Sequence, residues 1–165
     1  MNNQKDHRTD AKSSYYLEQI GGRYGPWINH ENNTPANGRY ISKFENGLIE
    51  KERNFRDGEQ HGLQRVWWPD GNLRSEKEIK NGLGQGYSRC WHFNGQLARE
   101  CLMDEGNFIG SYRTWSENGV LTWDQPWKDG EMHGTQMGWN EDGSLLWLTL
   151  YCEGISWLEC YDFKT

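Results

Sequence analysis

The stretch EQHGLQRVWWPDGNLRSEKEIKNG, residues 59–82, is one complete copy of a unit that recurs through most of the chain without insertions. The unit is 24 residues long and stays in phase from Pro35 to Gly154, which gives five copies. Three glycine positions per unit fix this phase: Gly38, Gly62, Gly86, Gly110 and Gly134; Gly47, Gly71, Gly95, Gly119 and Gly143; and Gly58, Gly82, Gly106, Gly130 and Gly154. A fixed period of this length indicates an array of stacked repeats.

The composition agrees with an array better than with a conventional globular core. Hydrophobic residues make up 34% of the 165 residues, which is low for a globule of this size. Trp and Gly are abundant instead, with 10 and 20 copies. This is expected if each unit contributes a large aromatic side chain and several turns that need positive φ.

Each unit carries two turn signals. The first is Asn46-Gly47, Asp70-Gly71, Asn94-Gly95, Asn118-Gly119 and Asp142-Gly143; the second is Asp57-Gly58, Asn81-Gly82, Glu105-Gly106, Asp129-Gly130 and Glu153-Gly154. Asn-Gly and Asp-Gly between alternating runs are strong hairpin signals, so each unit should form two strands. We therefore predict an all-β fold: a single-layer, elongated array of β-hairpin repeats with a cap at each end.

The side-chain pattern selects the loop of the first hairpin. A three-residue loop that closes on a left-handed Gly places Trp67 opposite Leu73, whereas a two-residue loop places it opposite Arg74. The same choice applies in the next units, where the three-residue loop pairs Trp91, Trp115 and Trp139 with Leu97, Leu121 and Leu145. Because these pairs are uniformly apolar, we predict the three-residue loop.

Strand alternation from these pairs then assigns two faces to the sheet. One face should hold the Trp and Leu rows together with Phe55, Ile79, Met103, Trp127, Tyr151, Arg65, Arg89 and Arg113. The other should hold Glu52, Glu76, Glu100 and Asp124, paired with Tyr40, Gln64, Ser88 and Tyr112. We expect one aromatic face and one acidic face.

The chain divides around the repeats. Residues 1–14 are polar and aperiodic and should form a disordered tail. Residues 15–34 are expected to cap the first repeat, residues 35–154 to form the five hairpin repeats, and residues 155–165 to form a C-terminal capping strand. Exposed end strands would allow two chains to pair as a homodimer.

Charge narrows the classes of partner. A net charge of −6 and a pI of about 5.4 disfavour nucleic acid and anionic lipid and favour a basic partner. No apolar run approaches the roughly 20 residues that span a bilayer, and the start has no signal-like segment, so we expect a cytoplasmic protein. The four cysteines form no CxxC pair, and we expect reduced thiols without a metal.

No catalytic constellation stands out. Successive carboxylates of the row Glu52, Glu76, Glu100, Asp124 should lie about 10 Å apart, beyond the roughly 5 to 9.5 Å of glycosidase pairs. His61 and His133 occupy one unit position three units apart, too far to share a metal ion, and turn packing explains them. We predict a protein that is not an enzyme and that needs no cofactor.

The turn motifs resemble a known family. The patterns DGEQHG at 57–62, NGLGQG at 81–86 and DGEMHG at 129–134, each followed by W-x-x-(N/D)-G-x-L, are similar to MORN repeats and most similar to their bacterial variant. Three positions depart from the pattern. Lys43 stands in place of the first Trp, Ile109 in place of the His before a unit's first Gly, and Leu148 in place of the last acidic residue.

The resemblance implies a binding function. Proteins of the bacterial variant are described as antitoxin-like or immunity-like, which implies a protein partner, here a basic toxin or effector domain. The broader family implies the alternative of a structural scaffold or membrane-associated protein. Our candidate partner-binding residues are Tyr40, Trp68, His92, Tyr112, Glu52, Glu76, Glu100 and Asp124, because aromatic anchors ringed by charge suit a protein interface. For the carboxylate row, a solvated acidic face is the simpler interpretation, and a docking face for a basic protein is the alternative.

Overall fold

The computed structural model describes residues 12–13, 17–19, 26–29 and 31–158, and within them all regular structure is β. The strands are β1 (Lys12–Ser13), β2 (Leu17–Gln19), β3 (Trp27–Asn29), β4 (Thr34–Pro35), β5 (Gly38–Lys43), β6 (Ile49–Arg56), β7 (Glu59–Gln60), β8 (Gly62–Trp67), β9 (Leu73–Lys80), β10 (Leu83–Trp91), β11 (Leu97–Asp104), β12 (Asn107–Trp115), β13 (Leu121–Lys128), β14 (Glu131–Met132), β15 (Gly134–Trp139), β16 (Leu145–Cys152) and β17 (Ile155–Leu158). The predicted all-β class is confirmed.

The repeats form one open sheet of consecutive hairpins. Its strand order is β1-β5-β6-β8-β9-β10-β11-β12-β13-β15-β16-β17, with β7 on β6 and β14 on β13. Every neighbouring pair is antiparallel except β1 and β5. Strands that follow one another in sequence therefore lie side by side, as the predicted array of β-hairpin repeats requires.

The first turn of each unit has the predicted three-residue loop. In the second unit the Trp68 N–H donates to the Asn72 carbonyl at 2.8 Å. Gly71 closes the loop with φ of 91°, in the left-handed region. Trp67 pairs with Leu73 as predicted. The other Trp and Leu pairs also form: Trp91 with Leu97, Trp115 with Leu121 and Trp139 with Leu145.

The second turn is a two-residue loop that also hydrogen-bonds to the beginning of its own unit. Both of its residues have positive φ, 49° at Asn81 and 77° at Gly82, which is the type I′ turn of tight hairpins. The Gly82 N–H donates to the Gln60 carbonyl of the same unit's first strand segment at 2.9 Å. The Asn81 N–H donates to His61 Nδ1 at 3.3 Å, which explains this His as a turn residue.

A β-bulge next to the first turn overturns the predicted faces. Trp67 pairs with Leu73, but the preceding Val66 pairs with Ser75, so Arg74 is an extra residue in β9. From there the register is shifted by one residue, and a shift of one residue turns every following side chain to the other face. Arg65 therefore lies opposite Glu76, where regular alternation predicted Gln64.

The predicted pairs of Glu52, Glu76, Glu100 and Asp124 are consequently wrong. Their expected partners instead form the pairs Tyr40 with Arg53, Gln64 with Lys77, Ser88 with Cys101 and Tyr112 with Gln125. The residues Phe55, Ile79, Met103, Trp127 and Tyr151, predicted to share the Trp and Leu face, lie on the opposite one with these pairs. We call the face that carries Arg65 and Glu76 the ladder face and the face that carries Val66 and Ser75 the groove face.

The ladder face carries charges of alternating sign on successive strands. Arg65 lies between Glu52 and Glu76, and Arg89 lies between Glu76 and Glu100. The row continues through Arg113 and Asp124 and ends in the apolar pair of Met137 and Leu148 in the fifth unit. By strand alternation Trp67 lies on this face two residues from Arg65.

The most buried cluster lies at the N-terminal end of the groove face. Ala36, Tyr40 and Phe55 are 0%, 1% and 5% exposed, and Trp27 packs against them. The Phe55 ring lies 5.5 Å from the Tyr40 ring and 5.7 Å from the Trp27 ring, between centroids. The Trp27 N–H also donates to the Gly58 carbonyl at 2.8 Å, which fixes β3 against the first unit.

The segments outside the repeats are described in part. The strands β2, β3 and β4, which lie between Leu17 and Pro35, form a separate three-stranded sheet. Lys12 and Ser13, in the stretch expected to be a tail, pair in parallel with Tyr40 and Ile41. At the other end β17 pairs with β16. The rest of the tail, cap and closing-strand predictions falls on residues 1–11, 14–16, 20–25, 30 and 159–165, which lie outside the described residues.

Candidate functional site

The groove face carries an open groove of about 610 Å³ in the middle of the array. Its walls come from the first to the fourth unit. The lining residues are Lys51, Val66, Trp68, Arg74, Ser75, Cys90, Trp91, Ala98, Arg99, Tyr112 and Thr114. A volume of this size is typical of ligand-binding sites, and it is lined by aromatic and cationic side chains together.

Three successive units each place one cation in the groove, namely Lys51, Arg74 and Arg99. Lys51 Nζ is paired with Glu50 Oε1 at 2.7 Å, and this hydrogen bond is the main cause that lowers the pKa of Glu50. Arg74 and Arg99 are both exposed, and no carboxylate of the described residues lies within 4.0 Å of either. Two cations of the groove thus keep their charge available.

Trp68 forms the aromatic wall beside Arg74. The guanidinium carbon of Arg74 lies 4.6 Å from the centroid of the Trp68 ring, a cation–π contact. Phe93 meets the same ring edge-on, with 5.7 Å between centroids. Trp68 Nε1 is buried and has no hydrogen-bond partner among the described residues. An entering acceptor would satisfy this donor only after the ring turns Nε1 toward the groove.

Arg99 is held in place by the opposite wall. Its Nη2 donates to Cys90 Sγ at 3.0 Å. It also donates to the Tyr112 hydroxyl, and this hydrogen bond is the main cause that raises the pKa of the Arg99 guanidinium, against the lowering effect of burial. A guanidinium fixed by two side chains loses less conformational freedom when it binds an anion.

A smaller groove of about 250 Å³ continues the same face toward the N-terminal end. It shares Lys51 and Val66 with the larger groove and adds Arg53 and Lys77 to its lining. Arg53 stacks on Trp27, with its guanidinium carbon 5.4 Å from the ring centroid. Five cations thus follow one another along the groove face of the first three units.

The groove ends at the fifth unit because aromatic rings fill it. The position of Val66 and Cys90 is Gly138 in that unit, and a Cβ there would come within 2.5 Å of the Trp147 ring. The Trp147 ring also meets the Trp123 ring at 4.8 Å between centroids. Trp123 and Trp147 occupy the unit position that holds Lys51 and Arg99 in the first and third units, so this end is neutral.

The sequence-predicted aromatic residues separate into two environments. Trp68 and Tyr112 line the groove together. His92 lies at the loop beside them, with its Nε2 2.7 Å from the Trp115 carbonyl oxygen of the next unit. Tyr40 is 1% exposed in the core cluster and offers no surface to a partner.

The four predicted carboxylates lie on the ladder face, away from the groove. Each is paired with an arginine: Glu52 with Arg39, Glu76 with Arg65 and Glu100 with Arg89 at 2.7 Å, and Asp124 with Arg113 at 3.0 Å. The carboxylates of these pairs are 10% to 27% exposed and the arginines 27% to 45% exposed, so the pairs are half-buried and partly screened by solvent. The eight predicted residues therefore do not form one surface, and the carboxylate row is neutralised by its neighbours.

One edge of the sheet carries acidic side chains without any cation. The five three-residue loops and their flanking residues, 44–48, 68–72, 92–96, 116–120 and 140–144, contain no Lys or Arg. Their carboxylates are Glu45, Asp70, Glu117, Glu141 and Asp142. We call this the loop edge; it borders the groove on the side of Trp68 and His92.

The sequence reasoning missed Arg74 and Arg99 because it placed no bulge in the strands after the loop. A signal for the bulge was present. Arg65, Arg89 and Arg113 precede Glu76, Glu100 and Asp124 by 11 residues each, and opposite charges favour direct cross-strand pairing. Only a register shifted by one residue brings these oppositely charged residues together.

The described part of the chain supplies no metal-ion cluster. No three His, Cys, Asp or Glu side chains come together there in a way that could hold a metal ion. Cys90, Cys101 and Cys152 are free thiols, and Cys160 lies outside the described residues. The same residues contain no helix long and apolar enough to cross a bilayer.

Comparison with known proteins gives one match to a repeat family. A family model described as MORN repeat variant matches residues 60–81, which lie within the second unit. This match supports the MORN-repeat family and a protein-binding or scaffold role. A search of curated proteins found no significant match to the chain.

Proposed function

We propose that this protein is a non-catalytic protein-binding module that acts as an immunity protein or antitoxin, covering the functional surface of a toxic effector. The observation that carries the proposal is the groove with its adjoining loop edge. It combines a half-buried Trp, two exposed arginines and a row of loop carboxylates on one side of the sheet. Aromatic and arginine anchors surrounded by polar groups are the usual composition of interface hot spots.

The charge pattern supports a partner with a basic surface. The ladder carboxylates are already paired with arginines, but the five carboxylates of the loop edge form no ion pair among the described residues. A basic effector domain would gain electrostatic steering from this edge while its projecting parts contact Trp68 and Phe93. The partner-binding role of Trp68, His92 and Tyr112 is retained in this proposal.

Site-specific photo-crosslinking in the native host tests the proposal. A photo-reactive phenylalanine analogue replaces Phe93, which is 58% exposed beside Trp68, or Tyr87, which is 51% exposed on the ladder face and stacked with Arg89. We expect one protein to crosslink in stoichiometric yield at position 93 and not at position 87. Failure to recover a protein partner, or equal crosslinking at both positions, contradicts the proposal.

The immunity role makes a second demand on the recovered partner. Expressed alone, the partner should arrest growth, and co-expression of this protein should restore it. A partner that is harmless on its own would leave a binding module but remove the immunity role.

A scaffold function at an anionic membrane is the second candidate, favoured by the five cations of the groove face. Sedimentation with vesicles that contain anionic lipid, at physiological salt, distinguishes it. Binding that is abolished when Arg74 and Arg99 are both changed to Glu would favour the scaffold over the immunity protein.

A further inference from the structure

We propose that the groove binds an extended acidic segment of the partner, whose carboxylates lie three residues apart and contact Arg74 and Arg99. This inference rests on the proposed protein-binding function and specifies its ligand. The charge of the groove is opposite to that of the whole molecule, since the protein has a net charge of −6 while the groove is lined by cations.

The spacing of the two arginines determines the register of the segment. Arg74 lies in β9 and Arg99 in β11, which are two strands apart in the sheet. Neighbouring strands lie about 4.8 Å apart, so the two positions are separated by about 10 Å. A chain in the extended polyproline II conformation has three residues per turn and advances about 3.1 Å per residue, so side chains at i and i+3 share one face and lie about 9 Å apart. Carboxylates at positions i and i+3 therefore match the arginines.

The aromatic walls complete the recognition of an extended backbone. Trp68 Nε1 is a buried donor without a partner among the described residues, and a backbone carbonyl of the segment would accept its hydrogen once the ring turns this atom toward the groove. Tyr112 and Cys90 hold Arg99 on the opposite side of the groove. Lys51 already pairs with Glu50, so it contributes less to the binding of a further carboxylate.

A peptide fits the charge distribution better than a nucleic acid does. The groove offers two uncompensated arginines, whereas the loop edge beside it carries five carboxylates without a cation. A polyanion with a charge on every nucleotide would meet repulsion along this edge. A segment with two or three carboxylates places its charge in the groove alone.

Selection from a phage-displayed library of random 12-residue peptides on the immobilised full-length protein tests the inference. We expect enriched peptides with two carboxylates three residues apart. In a synthetic enriched peptide, moving these carboxylates to adjacent positions should weaken binding about threefold or more, measured by fluorescence anisotropy. Enrichment without carboxylates, or indifference to their spacing, overturns the inference.

Variants of the protein locate the binding. The double change Arg74→Glu and Arg99→Glu should raise the Kd of the enriched peptide at least about tenfold, because two attractive contacts become repulsive. The matched control, Arg56→Glu with Lys128→Glu, makes the same change in net charge at the exposed two-residue turns and should alter the Kd less than about twofold. Equal effects of the two variants would mean that overall charge and not the groove decides binding.

The indole N–H is tested by Trp68→Phe, which keeps an aromatic ring beside Arg74 and Phe93. The Kd should rise about threefold to tenfold, as for the loss of one hydrogen bond, with an unchanged unfolding midpoint. A single-stranded oligothymidine of 20 nucleotides serves as the competing ligand class. If it binds more tightly than the enriched peptide and loses binding with Arg74→Glu and Arg99→Glu, the groove is a nucleic-acid site and the inference fails.

These outcomes are separable from those of the proposed function. A partner that crosslinks at position 93 but whose binding is unaffected by Arg74→Glu and Arg99→Glu supports the proposed function and rejects the acidic segment. Failure to recover any partner rejects the proposed function.

Discussion

The ladder face and the groove face are built from the same strands but differ in regularity. On the ladder face the second to fourth units repeat one pair of Arg and carboxylate, as in Arg65 with Glu76. On the groove face the position of Arg74 is occupied by a different residue type in every unit: Glu50, Arg74, Ala98, Thr122 and Leu146. The side chains of the repeated row pair with one another, whereas the side chains of the variable row are free to distinguish one partner from another.

The buried end of the groove face should dominate stability. Phe55→Ala removes a ring that is 5% exposed and contacts Tyr40 and Trp27, so we expect a loss of about 3 to 5 kcal/mol in the free energy of unfolding. The matched change Phe93→Ala, at a ring that is 58% exposed, should cost less than about 1 kcal/mol. Urea titration followed by Trp fluorescence measures both, and similar losses would show that Phe55 and Phe93 are equally well packed.

On the ladder face, removal of one member of an ion pair should destabilise the protein more than replacement of both members. Arg113→Met leaves Asp124 partly buried without its partner, which should lower the free energy of unfolding by about 1 to 2 kcal/mol. The loss is no larger because Arg113 is itself half-exposed. Adding Asp124→Leu reproduces the pair of Met137 and Leu148 in the fifth unit and should recover most of that loss. Urea midpoints of the two variants decide; a double variant as unstable as the single one would mean that the ladder needs its charges.

Two cysteines on the groove face should differ about tenfold in labelling rate. Burial is the main cause that raises the pKa of the Cys101 thiol, so its thiolate forms only at higher pH, whereas Cys90 lines the open groove. In a background of Cys152→Ser and Cys160→Ser, a thiol reagent at pH 8 should modify Cys90 first. Mass spectrometry of the modified peptides gives both rates, and faster labelling of Cys101 would contradict this prediction.

The raised pKa of the Cys101 thiol also predicts how the stability of the protein depends on pH. A thiol whose pKa is higher in the folded state stabilises the fold fully below the unfolded pKa of about 8.5, and this stabilisation is lost as the pH rises through the folded pKa. The native protein should therefore lose its stability advantage over Cys101→Ala as the pH rises above about 8.5. An advantage that grows over this range would contradict it.

The substitution with the smallest expected effect concerns the Trp row of the ladder face. Lys43 occupies the position of Trp67 in the first unit and lies opposite Ile49. Lys43→Trp should restore an aromatic and β-branched cross-strand pair and raise the free energy of unfolding by about 0.2 to 1 kcal/mol. Lys43→Ala is the control that removes the charge alone, and an equal gain from both variants would exclude a contribution from the aromatic pair.

The sequence was sufficient to predict the array, both kinds of turn and the pairing of Trp67 with Leu73. These features depend on local chemistry, because Gly71 and Gly82 mark the turns through the φ values that they alone adopt without strain. The faces could not be predicted by alternation alone, since one extra residue at Arg74 reverses them. The groove was missed for the same reason. The burial of Tyr40 was missed because it depends on Trp27, which belongs to a segment outside the repeats.

The bulge at Arg74 also affects how such a molecule can change in length. Because it recurs at the same place in each unit, it resets the orientation of the side chains before the next unit begins. A whole unit can therefore be duplicated or deleted without turning the side chains of its neighbours inside out. Each duplication would lengthen the groove by about 10 Å, so the reach of this surface grows in steps of one hairpin, while substitutions within a hairpin adjust what it recognises.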